Sequence, residues 1–138
     1  ANCCGCSVST SAFSTSASDR VFVTGAVDDV RPYVREAEVF VCPLQSGAGI
    51  KNKLLQAWAM NKAVVATSLS VGGLGARDGD NLLIRDDAES LASAVLVLME
   101  NPSQREALGR RGRATIEGAF TWEAQAERVD TLLHSTRR

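Results

Sequence analysis

The residues best placed to do chemistry lie in one short stretch, Ser46-Gly47-Ala48-Gly49, followed by Ile50, Lys51 and Lys53. Gly47 and Gly49 carry no Cβ, so the backbone there can approach a ligand closely. A helix starting near Ile50 would point its free amides at the same place, and a helix N-terminus suits a phosphate. Lys51 and Lys53 add positive charge within that first turn. The chemistry on offer is anion binding. The spacing alone fits a tight strand-to-helix turn equally well, because Gly-x-Gly is neither the full dinucleotide fingerprint nor a Walker loop. A second stretch, Val71-Gly72-Gly73-Leu74-Gly75, is another place for close backbone approach, or simply a turn.

Other reactive side chains carry less. Cys3, Cys4 and Cys6 cluster at the start, and the fourth cysteine is Cys42. The cluster has the ligand type for zinc, but His134 is the only histidine and no second Cys pair has zinc-finger spacing. Reduced thiols are the better reading, and no metal is expected. His134 has no nucleophile or carboxylate partner at an interpretable spacing and reads as an exposed tail residue. Arg105, Arg110, Arg111 and Arg113 form a basic stretch balanced in part by Glu106 and Glu117, which reads as a solvated helix face. No Ser/His/Asp set is present at local spacing, so no catalytic residue is assigned.

These groups must be held by ordered elements, and the chain supplies them from Asp19 onward. Residues 1–18 are rich in serine and small side chains without periodicity and read as a flexible leader; residues 19–138 read as one domain. Arg20 to Thr24 reads as a strand ending at Gly25, and Asp28 and Asp29 can cap a helix carrying Val30, Pro32, Tyr33 and Val34. Val39 to Cys42 is a second strand, stopped by Pro43. The next helix has apolar positions at Ile50, Leu54, Ala57 and Trp58, spaced i, i+4, i+7 and i+8. Ala63 to Thr67 is a third strand whose apolar run implies burial on both faces, as in a parallel sheet. Leu82 to Ile84 is a fourth.

Three helices close the chain. Asp86 with Glu89 makes a capping box for a stripe of Leu91, Ala94, Val95 and Leu98. Asn101-Pro102 marks the start of the next helix. Thr121 caps the last, whose buried face is expected to be Trp122, Ala126, Val129 and Leu133. Alternation of strands and helices predicts an α/β fold: a Rossmann-like parallel sheet of about four strands with flanking helices. In such sheets ligands bind outside the carboxyl ends of the strands, which selects the loops Gly25 to Asp28, Pro43 to Gly49 and Ser68 to Gly75.

The run Val39 to Leu44, then Gly47 to Met60, then Ala63 to Thr67, resembles the C-terminal domain of retaining glycosyltransferases of the GT-B fold, the glycosyl transferases group 1 family. Val21 to Gly25 with Val27 to Val30, Gly79 to Leu83, and Phe120 to Glu123 resemble its flanking segments, so the likeness runs from about Arg20 to Leu133. It implies a partial GT-B C-terminal domain that holds a nucleotide diphosphate sugar, with the acceptor on a separate N-terminal domain, and no obligatory cofactor or metal. It also implies roles. The backbone at Gly47, Gly49 and Ile50 would face the diphosphate, with charge from Lys53, and Gly72 and Gly73 would approach the sugar phosphate. A glutamate pair eight positions apart frames this turn in the family, and here those positions are Ala48 and Gln56. Gln56 keeps an acceptor for a ribose hydroxyl, though a neutral acceptor bonds about 1 kcal/mol more weakly than a charged one. The family's basic pair for the diphosphate is expected upstream of Ala1, with Lys51 and Lys53 compensating in part.

Composition narrows the partners. A net charge of -1 leaves no footprint for nucleic acid or an anionic membrane. No apolar run approaches the roughly 18 residues needed to span a bilayer, and the start lacks the features of a secretory signal. The expected location is the cytoplasm. A sheet lacking upstream strands would expose an edge, so a homodimer is a further expectation. Three functions stay open: the donor half of a hexosyltransferase, a non-catalytic nucleotide-binding module, or a self-associating remnant without activity.

Overall fold

The computed structural model of the chain describes residues 23–47 and 52–135. At its centre is β2 (Ala63–Ala66), paired in parallel with β1 (Val39–Cys42) on one side and β3 (Leu83–Ile84) on the other. Val39 stands opposite Ala63, Cys42 opposite Ala66, and Ala66 opposite Ile84. All four residues of β2 are buried. Successive side chains on a strand leave from opposite faces, and β2 divides accordingly. Val64 and Ala66 pack with Val34, Leu54, Trp58 and Leu82, whereas Ala63 and Val65 pack with Leu83, Ala94, Leu98 and Leu108. A two-sided core explains why this strand is apolar without alternation.

The described residues form five α-helices: α1 (Arg31–Glu36), α2 (Asn52–Ala59), α3 (Ala88–Glu100), α4 (Pro102–Ala119) and α5 (Trp122–Ser135). Helices α1 and α2 serve the first cluster; α3 and the start of α4 serve the second. The chain leaves α2 through a Schellman turn. Asn61 adopts φ +56°, its amide donates to Trp58 O at 2.9 Å, and the Lys62 amide donates to Ala57 O at 2.9 Å. That turn delivers the chain directly into β2. Helix α4 lies close over α2 and this turn because Gly109 and Gly112 carry no side chain. A Cβ on Gly109 would stand 2.0 Å from Asn61 O, and one on Gly112 would stand 2.3 Å from the Trp58 ring.

Several expectations change. The expected strand from Arg20 falls mostly outside the described residues, and Val23 and Thr24 are irregular backbone, so the described sheet has three strands. Neither Asp28 nor Asp29 is the N-cap of α1, which is Val30 without a side-chain cap bond; Asp29, one residue earlier, accepts from the Arg31 amide at 2.9 Å. The Arg31 side-chain bond to it, followed by this backbone bond, holds the Asp29 carboxyl below its ordinary range. Helix α3 is capped by Asp87, not Asp86: the Ser90 amide donates to Asp87 Oδ1 at 2.8 Å. Asp86 is used elsewhere, accepting from the Ser68 amide in the segment after β2. Asn101 precedes α4 as expected, but its side chain turns back and donates to Val97 O at 2.9 Å. Thr121 caps α5, accepting from the Ala124 amide at 3.2 Å. The expected buried face of α5 is not buried: Trp122 is 89% exposed and Leu133 63%. The apolar spacing is helical, yet no other described element covers it. The leader 1–18 lies outside the described residues.

Candidate functional site

Because the three strands are parallel, their carboxyl ends share one edge of the sheet, and three loops leave from it. After β1 comes Pro43–Gly47, after β2 a single turn of 3-10 helix (Ser68–Ser70) and the Gly72–Gly75 loop, and after β3 the short link to α3. Side chains tie these loops together. Thr67 Oγ1 donates to Leu44 O at 2.6 Å, and Ser70 Oγ donates to Cys42 O at 3.0 Å. The Ser68 amide donates to Asp86 Oδ1 at 2.7 Å, which joins the second loop to the third.

The far end of the second loop is held by Asn81, which is buried. Its Nδ2 donates to Gly75 O and to Thr115 Oγ1, both at 3.0 Å, and its Oδ1 accepts from the Arg77 amide at 2.8 Å. Its carbonyl accepts from Trp58 Nε1 at 3.1 Å. A buried amide side chain is tolerated only when its polar atoms are partnered; this one joins the loop to α4, and the backbone carbonyl joins it to α2. Sequence reasoning placed Asn81 only within the Gly79 to Leu83 segment. A polar residue directly before an apolar run was the one available sign.

The expected site residues distribute as follows. Gly47 closes the described part of the first loop with φ +118°, a conformation that favours glycine. Gly49 and Ile50 lie outside the described residues, as do Ala48 and Lys51. Lys53 and Gln56 are exposed on α2 three residues apart, hence neighbours on one side of the helix, while Leu54, Ala57 and Trp58 are buried. The first described turn of α2 contains no acidic side chain. By contrast, α3 begins with Asp87 and Glu89, the usual complement to a helix N-terminus. Gly72 and Gly73 are exposed, and Gly73 has φ +77°. The structure thus puts Gly47 and Gly72–Gly73 on loops from adjacent strand ends. The expected loop from Gly25 to Asp28 is different in character: the shallow hollow between it and α1 is lined by Asp28, Asp29 and Glu36, an acidic lining unlike the other two loops. Among the described residues no group of three or more His, Cys, Asp or Glu could hold a metal ion.

Comparison with known proteins bears on what this edge does. Residues 7–101 match the family model described as glycosyl transferases group 1. The chain belongs to the glycosyl transferases group 1 family. It is 36% identical over 120 residues to the lipopolysaccharide core biosynthesis glycosyltransferase LpsE of Rhizobium meliloti, covering 86% of this chain and 35% of that protein. It is 27% identical over 109 residues to a GDP-mannose-dependent monoacylated alpha-(1-6)-phosphatidylinositol monomannoside mannosyltransferase of Corynebacterium glutamicum, covering 74% of this chain and 29% of that one. The chain therefore spans about a third of the length of these relatives. Among solved structures it is similar to sucrose-phosphate synthase from Thermosynechococcus elongatus, with a TM-score of 0.64 and 24% identity, over 78% of this chain and 27% of that one. This glycosyl transferases group 1 chain thus has the Rossmann-like α/β fold of a GT-B domain. No helix among its described residues is long and apolar enough to cross a membrane.

Proposed function

We propose that this chain is the donor-binding part of a glycosyltransferase that moves a hexose from a nucleotide diphosphate sugar to an acceptor held by a separate domain. The reading rests on one observation: in a member of this family, two glycine-bearing loops leave adjacent parallel strand ends and are hydrogen-bonded to each other. Backbone donors near Gly47, Gly49 and Ile50, with Lys53, would take up charge growing on the departing diphosphate. Gln56, on the same helix face as Lys53, would accept from a ribose hydroxyl, and Gly72–Gly73 would lie along the sugar phosphate. The names of the lipopolysaccharide core and mannoside relatives support a product of the polysaccharide or glycolipid class, with a cytoplasmic donor pool as part of the same proposal.

A second reading is a nucleotide-binding module without turnover, favoured by Ala48 and Gln56 standing where the family resemblance implies acids. Self-association belongs here too, and the exposed Trp122, Val129 and Leu133 of α5 favour it. The deciding experiment is a thermal melt of the chain with nucleoside diphosphates and their hexose conjugates. A ligand at about 100 times its Kd adds roughly 2.7 kcal/mol. A selective shift with one base supports the donor site, and transfer or hydrolysis of the conjugate then separates enzyme from binding module. A cooperative melt that no nucleotide moves removes the donor-site reading.

A further inference from the structure

We propose that Thr67 is a positioning residue whose hydroxyl latches the loop after β1 to the loop after β2, so that Gly47 and Gly72–Gly73 are held as one body. The β1–β2 ladder ends at the pair Cys42 and Ala66, and one further rung follows, from the Thr67 amide to Cys42 O at 3.2 Å. Beyond that rung the two chains separate into loops, and backbone pairing no longer links them. The Thr67 side chain takes over, reaching Leu44 O at 2.6 Å. Ser70, one 3-10 turn later, stands 2.8 Å from Thr67 Oγ1 and 3.0 Å from Cys42 O. Both side chains are buried, Thr67 to 5% exposure and Ser70 to 1%.

The hydrogens decide which hydroxyl matters more. Each hydroxyl has one proton to give, so these two residues have two protons for three short contacts. Leu44 O needs Thr67 as its donor in this network, whereas Cys42 O already accepts from the Thr67 amide. The arrangement that leaves no carbonyl of this group unserved sends the Thr67 proton to Leu44 and lets the Ser70 proton alternate between Thr67 Oγ1 and Cys42 O. Thr67 is the link between the loops, and Ser70 orients it. Loss of Thr67 therefore loosens the first loop more than loss of Ser70 does, although Ser70 is the more deeply buried.

Hydrogen exchange on the intact chain tests this without any ligand. Thr67→Val keeps the shape and removes the donor. The Thr67 amide, whose bond to Cys42 O is the last rung before the two loops part, is then expected to exchange about tenfold faster, the loss of one buried hydrogen bond. Amides in α3 stay at the wild-type rate, Ser70→Ala gives a smaller acceleration, and Thr67→Ser restores protection. Thr67→Ala serves if the valine variant does not fold. Unchanged exchange at that amide, or the same acceleration in α3, overturns the latch, as does a larger effect from Ser70→Ala. A second arm rests on the proposed donor site: UDP and GDP are titrated below the melting transition of both proteins, and whichever binds the wild type should bind Thr67→Val about tenfold more weakly. Binding of neither nucleotide counts against the donor site alone, because the exchange rates still decide the latch.

Discussion

Gln56 is the residue on which the donor-site reading is most directly testable. Its side chain is exposed on α2, so a change there leaves the core untouched. Gln56→Glu supplies the charge-assisted acceptor that the family resemblance implies, worth about 1 kcal/mol, and should tighten nucleotide binding roughly fivefold by calorimetry. An unchanged or weaker Kd would mean that no ribose hydroxyl reaches this position. Gly112 tests packing instead. An added Cβ would lie 2.3 Å from Trp58 Cδ1 and 2.6 Å from its Nε1, and the indole cannot yield without giving up its bond to Asn81 O. Gly112→Ala should therefore cost about 1–3 kcal/mol in urea unfolding, as overpacking of cores does. A neutral result would show that α4 can slide away from α2.

At the scale of elements, the start of α3 is governed by Asp87. The Ser90 side-chain bond, followed by the Ser90 backbone bond, holds its carboxyl below the ordinary range. The unfolded chain then binds more protons than the folded one in this window, so stability rises with pH across it. The contribution is fully present above the ordinary value of about 3.9 and is lost as pH falls through the lowered folded value. Asp87→Ala should lower the melting temperature modestly at neutral pH and flatten this part of the acid limb. An acid limb identical to the wild type would show that the cap is not formed. Helix α5 shows the opposite case, an element with good local signals and no burial. Its cap at Thr121 forms, yet none of its described residues is buried.

For the whole molecule, this puts the end of the cooperative unit near Phe120, the last residue packed against the first core cluster. Removing residues 121–138 deletes no buried side chain among those described. The shortened chain should melt cooperatively within about 4 °C of the full chain, less than 1 kcal/mol for a domain of this size. A larger fall would show that α5 supports the body through contacts beyond its exposed face. The same division matters for function, because the proposed donor loops lie wholly within the part that would remain. Nucleotide binding should survive the truncation.

The sequence by itself determined the parallel α/β class, the order of its elements and the family. Period-2 and period-3.6 patterns, apolar runs and glycine turns are local properties of the chain, and β1, α2, β2, α3 and α4 stand within a few residues of where those patterns put them. It also singled out the loops after β1 and β2, since their position follows from strand direction alone. Tertiary structure decided what depends on distant partners. Whether Asp86 caps a helix or holds Ser68 turns on a neighbour 18 residues away, and Asn81 acquires its role only when Trp58 and Thr115 arrive beside it. Gly109 and Gly112 look like weak points in a helix until α2 lies against them. The face of α5 has the spacing of a buried stripe, but spacing states which residues share a side. Burial is a relation between two elements, and no period along one of them contains it.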